Sequence, residues 1–401
     1  MKIWFETPRR AVLLSLLLAS MGPRLHPARV FPVDSPAATW SPGNWAGDEG
    51  RGGAKYRQAW NTGAYMRWTW QSGAAQPSAT LLLDDRLFPE KYRRPSLAYA
   101  IDGIWRAKVP VTNELEIVEL RKASGPHELF VVLTASRQQD RWGAPGMPAT
   151  NALRIEGLRV DDESRPVERK AAGPWALILG DSITEGIGGG ELAGYGWLLG
   201  QSLAGAGWEF CQSACGWSGW LAPGDNPRDV PGYYVITNGA DGAIVYLDAA
   251  SRWNKIDGDR HSLLDANGHL SGWGQVNQEP ALIFINYGTN DKGWYKGDGA
   301  LVAASIRRGL AALRGAAPRA TILVMIPFNQ AAAADLKAAV EERQKGGDAL
   351  IHCIDLGQGV ARALSSPTKP LGDLHPNDAG YAWLASLIIP RVFTRLGLRV
   401  E

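Results

Sequence analysis

The sequence predicts an all-β domain followed by an α/β domain, and three observations carry this prediction. Residues from about 50 to 165 are rich in short alternating or β-branched stretches separated by turn residues, a pattern typical of an antiparallel sandwich or jelly roll. From about residue 173, compact apolar runs alternate with helical patterns, as in a mostly parallel sheet covered by helices. A chain of 401 residues is long enough to form two such domains.

The first 28 residues have the pattern of an export signal. Lys2, Arg9 and Arg10 precede an apolar run over 11–20, and Gly22-Pro23 ends that run. Such a run is too short to cross a bilayer as a helix. We therefore expect residues 1–28 to be a signal peptide. The mature protein is then secreted or periplasmic, with no attachment to the membrane.

The β domain is expected over residues 45–165. Its clearest strands are predicted at 65–70, 79–83, 115–120 and 127–133 because these stretches alternate or are rich in β-branched residues. Clusters of Gly, Pro, Asn and Asp separate them. This domain is predicted to be a sandwich of the jelly-roll type.

The α/β domain is expected over residues 173–401. Unbroken apolar runs at 175–179, 281–285 and 321–326 suit strands that are buried on both faces. Residues 217–280 are rich in Gly, Asp, Asn and Trp, and they predict a long insertion that could shape or cover a substrate cleft. Helical patterns cover 299–315, 330–345 and 378–397.

Charge and cysteine content exclude several classes of function. The net charge is +2 and no long Lys/Arg block occurs, so we expect no nucleic-acid partner. The three cysteines, Cys211, Cys215 and Cys353, allow at most one disulfide. They lack the second Cys/His pair that a zinc site needs. No metal is expected, and the cysteines are interpreted as small buried apolar residues.

Ser182 follows the first buried strand of the α/β domain directly. In an open α/β sheet, ligands bind at the carboxyl ends of the strands, so this position suits a nucleophile. Gly180 permits a tight turn between the strand and a following helix. On its own, the motif is equally compatible with Ser182 or Thr184 acting only as a helix cap.

Two further motifs lie at the corresponding edge of the predicted sheet. Asn290 follows the next long buried strand, and its amide could donate a hydrogen bond to an oxyanion. His375 precedes the last helix with Asp373 two residues before it, and a histidine held by a carboxylate can serve as a base. Each of these motifs alone has an ordinary structural alternative, a turn or a structural histidine.

Together, the three motifs resemble the SGNH, or GDSL, hydrolases, over roughly residues 174–395. This resemblance implies a three-layer α/β/α domain with Ser182 as nucleophile, His375 as base and Asn290 as oxyanion donor. It also implies an oxyanion glycine in the family's second sequence block, at Gly216, with Gly219 as the alternative. The family's mechanism needs no metal or organic cofactor.

One position departs from the family pattern. The family's carboxylate usually stands three residues before the histidine, and here that residue is Gly372, whereas Asp373 stands two before. Asp373 is therefore the candidate acid of a triad. The alternative is a Ser-His dyad in which a backbone carbonyl orients the imidazole.

A β-sandwich ahead of such a domain resembles the two-domain carbohydrate esterases of family two. The resemblance implies a serine esterase that removes O-acetyl groups from polysaccharide or oligosaccharide. The chain contains 17 tryptophans, and aromatic rings can cover the apolar faces of sugars. Trp217 and Trp220 are the candidates for substrate contact because they adjoin the oxyanion motif.

Two other functions remain open at this point. A lipase, lysophospholipase or thioesterase of the same family would need an apolar channel for its acyl chain. A catalytically inactive glycan-binding protein would use the sandwich alone. Activity on acetylated polysaccharide, activity on long-chain esters, and reaction of Ser182 with a fluorophosphonate would separate the three. The sequence does not predict the oligomeric state.

Overall fold

The computed structural model describes residues 28–49, 55–86, 94–121, 123–136, 152–169, 173–221, 233–248, 251–255, 262–272, 278–296 and 298–399. Apart from its last residue, the expected signal peptide lies outside these ranges. No helix in the described ranges has both the length and the apolar character needed to cross a bilayer.

Two antiparallel sheets of six strands make up the first part of the described chain. One sheet has the order β3-β4-β11-β6-β9, with β1 added to β11, and the other has the order β12-β5-β10-β7-β8, with β2 added to β5. The strands are β1 (Arg29–Pro32), β2 (Ala38–Trp40), β3 (Ala46–Glu49), β4 (Lys55–Ala59), β5 (Tyr65–Ser72), β6 (Ala79–Leu83), β7 (Ser96–Ile101), β8 (Ile104–Pro110), β9 (Glu114–Glu116), β10 (Gly125–Ala135), β11 (Leu153–Val160) and β12 (Arg165–Pro166).

Alternating side chains of these strands build one apolar core. Met66, Trp68 and Trp70 on β5 are fully buried and belong to the same cluster as Leu81 on β6, as the period of a strand dictates. The antiparallel region begins at Arg29, whereas the sequence had suggested a start at residue 45. The reason is that β1 pairs with β11 and β2 with β5, so two short strands of weak pattern gain their stability from longer neighbours.

A five-stranded parallel sheet follows, in the order β14-β13-β17-β18-β19. This order gives a switch point between β13 and β17, where doubly wound sheets bind their ligands. The strands of the sheet are β13 (Trp175–Gly180), β14 (Glu209–Ala214), β17 (Leu282–Asn286), β18 (Thr321–Met325) and β19 (Ile351–Ile354), and a hairpin of β15 (Ile236–Asn238) and β16 (Ile244–Tyr246) lies between β14 and β17.

Helices cover both faces of the parallel sheet, as the apolar runs predict. Leu177 and Leu179 on β13 pack in one core and Ile178 in the other. The first core includes residues of α3 and α4, and the second includes residues of α2, α5 and α6. The helices are α1 (Ser182–Glu185), α2 (Tyr195–Gly205), α3 (Gly299–Ala316), α4 (Ala333–Lys345), α5 (Gly357–Leu364) and α6 (Asp378–Leu396), with a 3₁₀ helix at Thr289–Lys296.

The described parts of the predicted insertion pack on the same face of the sheet as α3. Leu221, Tyr233, Leu263 and Leu270 are buried in the core that also contains α3 and α4. The described parts of the insertion therefore contribute to the folded core.

The sandwich and the parallel sheet are packed against each other. Tyr65 of β5 lies in the core formed by α2 and α6, with its ring 4.9 Å from the ring of Phe210 on β14. The Gln212 amide donates a hydrogen bond to the Thr62 carbonyl at 3.2 Å. Edge strand β14 is thus covered by the first part of the chain.

Among the three cysteines, Cys211 and Cys215 are buried and Cys353 is half-buried, and all three are free thiols. Burial raises the pKa of the Cys211 thiol well above its usual range, so it stays protonated and packs as an apolar side chain.

Candidate active site

Ser182 is the first residue of α1 and lies at the carboxyl end of β13. The strand turns so tightly that a Cβ on Gly180 would lie 2.0 Å from Thr184 Oγ1, so only glycine fits there. Asp181 caps the helix by accepting the Ile183 N–H at 2.9 Å. The cap is therefore Asp181, and the half-buried Ser182 hydroxyl has a different partner.

That partner is His375. The Ser182 Oγ lies 2.9 Å from the His375 Nε2, within the distance that proton transfer from a serine to its base requires. Burial lowers the pKa of His375 below its usual value, and the Asp373 charge partly opposes this effect. The imidazole is accordingly neutral at pH 7 and can accept a proton.

A glycine-rich segment after α1 holds the histidine turn against Ser182. A Cβ on Gly188, whose φ is +99°, would lie 2.8 Å from the Cβ of His375. The Tyr381 hydroxyl of α6 donates to the Ile187 carbonyl at 2.7 Å. These contacts join the start of α6 to the segment that follows the serine.

Asp373 contacts His375 through the backbone. Its carboxylate accepts the His375 backbone N–H at 3.3 Å and a hydrogen bond from Lys369 Nζ at 2.8 Å. The side chain is 53% exposed. Within the described part of the chain, no carboxylate makes a hydrogen bond to the imidazole Nδ1.

The backbone conformation at residue 372 accounts for a glycine at the position where the family usually has its acid. Its φ is +89°, and a Cβ there would lie 2.5 Å from the Asn377 backbone nitrogen. The turn before α6 is too tight to hold a side chain at residue 372. The acid of the usual spacing is therefore replaced by a compact turn.

Asn290 lies in the 3₁₀ helix after β17, on the other side of the switch point. Its amide nitrogen donates to the Ser218 carbonyl at 2.8 Å and to the Asp181 carboxylate at 3.4 Å. The loop after β14 carries Gly216 as a buried turn residue, and the Cys215 N–H of the same loop donates to the Gly180 carbonyl at 3.1 Å. The three sequence motifs thus meet at one sheet edge.

Comparison with protein families identifies a match over the same region. Residues 178–383, just over half of the 401-residue chain, match the GDSL-like lipase/acylhydrolase family. The chain belongs to this family. It is accordingly a carboxylic ester hydrolase, and the match includes Ser182, Asn290 and His375.

Solved structures similar to this GDSL-like hydrolase include several family two carbohydrate esterases. The Cellvibrio japonicus enzyme is 15% identical, with a TM-score of 0.62 over 92% of this chain and 98% of its own. The acetyl xylan esterase Est2A from Butyrivibrio proteoclasticus is 14% identical, with a TM-score of 0.62 over 92% and 99%. The Clostridium thermocellum enzyme, solved in complex with cellohexaose, is 14% identical, with a TM-score of 0.59 over 89% and 98%.

These likenesses establish the two-part fold, a β-rich region ahead of a GDSL-type α/β domain. No curated protein matches the sequence.

Two buried carboxyl groups lie beneath the site of this GDSL-like hydrolase. Burial, together with the smaller effect of the Asp291 charge, raises the pKa of Asp181 to about 7, and burial raises that of Asp291 to about 6. Asp291 accepts the backbone N–H groups of Trp220 and Leu221 at 3.0 and 2.9 Å. Both acids therefore hold backbone segments of the site.

The two tryptophans predicted to contact substrate occupy different environments. Trp217 is half-buried beside Cys215. Trp220 has no exposed surface and packs against Tyr233 and Tyr287. The prediction of substrate contact was wrong for Trp220, because its ring points into the core below the loop.

Sequence reasoning missed a buried polar network under Ser182. The Tyr195 hydroxyl lies 2.5 Å from Thr184 Oγ1 and accepts a hydrogen bond from the Asn286 amide at 2.6 Å. This network connects α1, α2 and the end of β17. The one sequence feature that could have indicated this network is Asn286, a polar residue at the end of a buried strand.

A partly open, mainly apolar pocket of about 120 Å³ lies beside the site. It shares Ile183 with the serine motif and Asp373 with the histidine turn. Its remaining lining residues are Phe328, Asn329, Ala361, Leu364, Ser365 and Leu374.

Proposed function

We propose that this hydrolase is an exported serine esterase that removes O-acetyl groups from polysaccharide or oligosaccharide. The observation that carries the proposal is the 2.9 Å contact between Ser182 Oγ and His375 Nε2 at the switch point of the sheet. In this proposal Ser182 is the nucleophile, His375 is the general base, and Asn290 and Gly216 stabilise the oxyanion.

The reaction proceeds in two halves. His375 Nε2 accepts the hydroxyl proton while Ser182 Oγ attacks the ester carbonyl, and the resulting imidazolium returns that proton to the departing sugar oxygen. A water molecule then attacks the acetyl-serine with His375 again as base. Acetate leaves, and the proton returns to Ser182.

The oxyanion of each tetrahedral intermediate needs fixed hydrogen-bond donors. The Ser182 and Gly216 backbone N–H groups and the Asn290 amide are proposed for this role. The Asn290 amide nitrogen donates to the Ser218 carbonyl at 2.8 Å and to the Asp181 carboxylate at 3.4 Å, and in this proposal the oxyanion replaces Asp181 as the acceptor of the longer hydrogen bond. Removal of one such donor typically costs a factor of about 10²–10³ in kcat.

The base is proposed to work as part of a Ser-His dyad. Asp373 interacts with the backbone of His375 and with Lys369, so its effect on the imidazole is through its charge and through the shape of the turn. It is proposed as a positioning residue for His375.

A carbohydrate substrate is supported by the fold and by one aromatic side chain. The similar structures include an acetyl xylan esterase and an enzyme solved with cellohexaose. Trp217 is half-buried next to the proposed oxyanion donor Gly216 and is proposed to pack against a sugar ring. The signal pattern over residues 1–28 supports export to the compartment where such polymers occur.

A second candidate substrate class follows from the apolar cavity beside Ile183. This partly open pocket of about 120 Å³, lined by Phe328, Leu364 and Leu374, could take an acyl chain longer than acetyl. In that case the protein would be a lipase or thioesterase of the same family.

One set of assays tests both candidates. We expect acetate release from acetylated xylan or mannan, and faster hydrolysis of 4-nitrophenyl acetate than of the octanoate. Ser182→Ala should abolish both activities with the unfolding transition preserved. Preference for the octanoate would favour the second candidate, and full activity of Ser182→Ala would overturn the assignment of the nucleophile.

A further inference from the structure

We propose that Arg252, a residue of the insertion, is a positioning residue for the oxyanion loop, which we define as residues 213–221. The inference rests on the proposed function, because it assigns Arg252 to the geometry of the donors around Ser182. The role requires Arg252 to hold the loop without contacting substrate.

Arg252 donates hydrogen bonds to the oxyanion loop. Its guanidinium donates from Nη1 to the Ser218 hydroxyl at 2.5 Å and from Nη2 to the Ser213 carbonyl at 3.3 Å. Arg252 is 3% exposed and Ser218 is fully buried. Hydrogen bonds from a charged donor in such a setting are among the stronger ones in proteins.

The Ser218 hydroxyl links Arg252 to the turn that carries Gly216. It donates to the Cys215 carbonyl at 2.5 Å, so it closes the turn over residues 215–218. The guanidinium, the hydroxyl and the carbonyl form a chain from the insertion to the peptide unit that precedes Gly216. The N–H of Gly216 belongs to that same peptide unit.

The same turn also orients Asn290. The Ser218 carbonyl accepts the Asn290 amide at 2.8 Å, so a shift of residue 218 moves the side-chain donor as well as the backbone donor. Two of the three proposed oxyanion donors therefore depend on the contact between Arg252 and Ser218.

The far end of the loop is held independently. Asp291 accepts the N–H groups of Trp220 and Leu221, and a Cβ on Gly219 would lie 2.6 Å from its carboxylate. Loss of Arg252 would leave this anchor intact. The expected result is a displaced turn at 215–218 in a protein that still folds.

The test compares Arg252 variants with a matched control. In Arg252→Met we expect kcat for 4-nitrophenyl acetate to fall about 10- to 100-fold with KM changed less than about threefold, because misplaced donors weaken the transition state more than the ground state. Arg252→Lys keeps the positive charge and can still donate to one of the two acceptors, so its kcat should lie between those of Arg252→Met and the wild type. The rate of Ser182 labelling by a fluorophosphonate should fall in parallel with kcat.

Arg314→Met is the control for a merely structural effect. Arg314 pairs with Asp348 and donates to the carbonyls of Ala317 and Ala320 at 3.1 and 2.7 Å, at the end of α3 and away from Ser182. Its loss should lower the midpoint of thermal unfolding and leave kcat within about twofold. Ser218→Ala provides a second test if Arg252→Met does not fold, with an expected loss of about fivefold in kcat.

The outcomes separate the two proposals. A wild-type protein that hydrolyses no acetate ester and does not react with the fluorophosphonate overturns the proposed function. A fully active wild type with unchanged kcat in Arg252→Met and Ser218→Ala overturns only the role of Arg252. Equal kcat losses in Arg252→Met and Arg314→Met would also overturn it.

Discussion

At the scale of single residues, the ionisation of His375 controls the proposed chemistry. The imidazole must be neutral to accept the Ser182 proton, so activity is lost as pH falls through its pKa. Burial lowers that pKa below 6.5, and the charge of Asp373 raises it. The acid limb of the pH profile therefore reports on both effects.

We expect kcat/KM to fall on the acid side with a midpoint below pH 6.5, since kcat/KM reports the pKa of the free enzyme. Asp373→Asn removes the negative charge that raises the pKa, so the midpoint should move to lower pH. Its maximal kcat should fall less than about tenfold, compared with about 10⁴-fold when the acid of a true triad is neutralised.

Asp265→Asn is the control for that experiment. Asp265 also accepts nearby backbone N–H groups, those of Asn267 and His269, but it lies in the insertion. The pH dependence of kcat/KM in Asp265→Asn should match that of the wild type. A loss near 10⁴-fold in Asp373→Asn would favour the triad, and a midpoint displaced to higher pH would contradict the effect of the Asp373 charge on His375.

Gly372 provides a second test at this scale. Gly372→Ala places a Cβ 2.5 Å from the Asn377 nitrogen at a φ of +89°, so we expect unfolding free energy to fall by about 1–3 kcal/mol. The turn that carries His375 should shift, and kcat should fall with it. Chemical denaturation and steady-state kinetics measure the two effects.

Gly359→Ala is the matched control for Gly372→Ala, because it also replaces glycine by alanine but creates no close contact. A Cβ on Gly359 in α5 meets no atom within 4 Å, and we expect it to stabilise the protein by about 0.5–1 kcal/mol. Equal behaviour of the two alanine variants would contradict our account of the turn.

At the scale of elements, the tryptophans after β14 show how a loop divides its side chains between core and surface. Trp220→Ala should lower the free energy of unfolding by about 3–5 kcal/mol, because a fully buried ring is removed. Trp217→Ala should change stability much less. It should raise KM for acetylated polysaccharide and leave 4-nitrophenyl acetate nearly unaffected.

The measurement is a pair of denaturation curves with kinetics on both substrates. Equal KM values for polysaccharide in wild type and Trp217→Ala would remove Trp217 from the proposed sugar contacts. A small stability loss in Trp220→Ala would contradict its position in the core.

The elements that could be predicted from the sequence are those whose own residues form an apolar run or a helical period. Central strands β13, β17 and β18 are apolar throughout because both of their faces are buried, and α3 and α6 carry long periodic patterns. Strand β14 was not predicted. Its buried residues include Gln212 and Ser213, whose environment comes from the sandwich and the insertion.

The site divides in the same way. Ser182, Asn290 and His375 could be predicted because each directly follows a strand or precedes a helix in a motif of fixed spacing. Arg252 and Tyr195 act through contacts between segments distant in sequence, and no local pattern marks such contacts. The close approach of Gly372 to Asn377 likewise requires the folded turn.

At the scale of the whole molecule, the sandwich and the parallel sheet share their cores. Trp60 is fully buried in the same cluster as β13 and α3, and Tyr65 in the cluster of α2 and α6. Arg67 and Tyr65 both contact the Glu209 carboxylate at the start of β14. The α/β part therefore depends on the sandwich for the cover of its edge strand.

We expect a fragment of residues 173–401 to lack a cooperative unfolding transition or to unfold at a much lower temperature than the full chain. Removal of the sandwich would expose Phe210 to water and remove the hydrogen bond between Gln212 and Thr62, so apolar burial that stabilises the full chain is lost. Circular dichroism with thermal unfolding measures this. A fragment as stable as the full chain would show that the two parts fold independently.

The central claim is that Ser182 carries the acetyl group during ester hydrolysis. Rapid acid quenching during turnover of an acetate ester, followed by peptide mass spectrometry, tests it most directly. We predict one acetyl group on the peptide that contains Ser182, and none on the corresponding peptide of Ser182→Ala. Acetylation of another residue, or turnover by Ser182→Ala at the wild-type rate, would contradict the account.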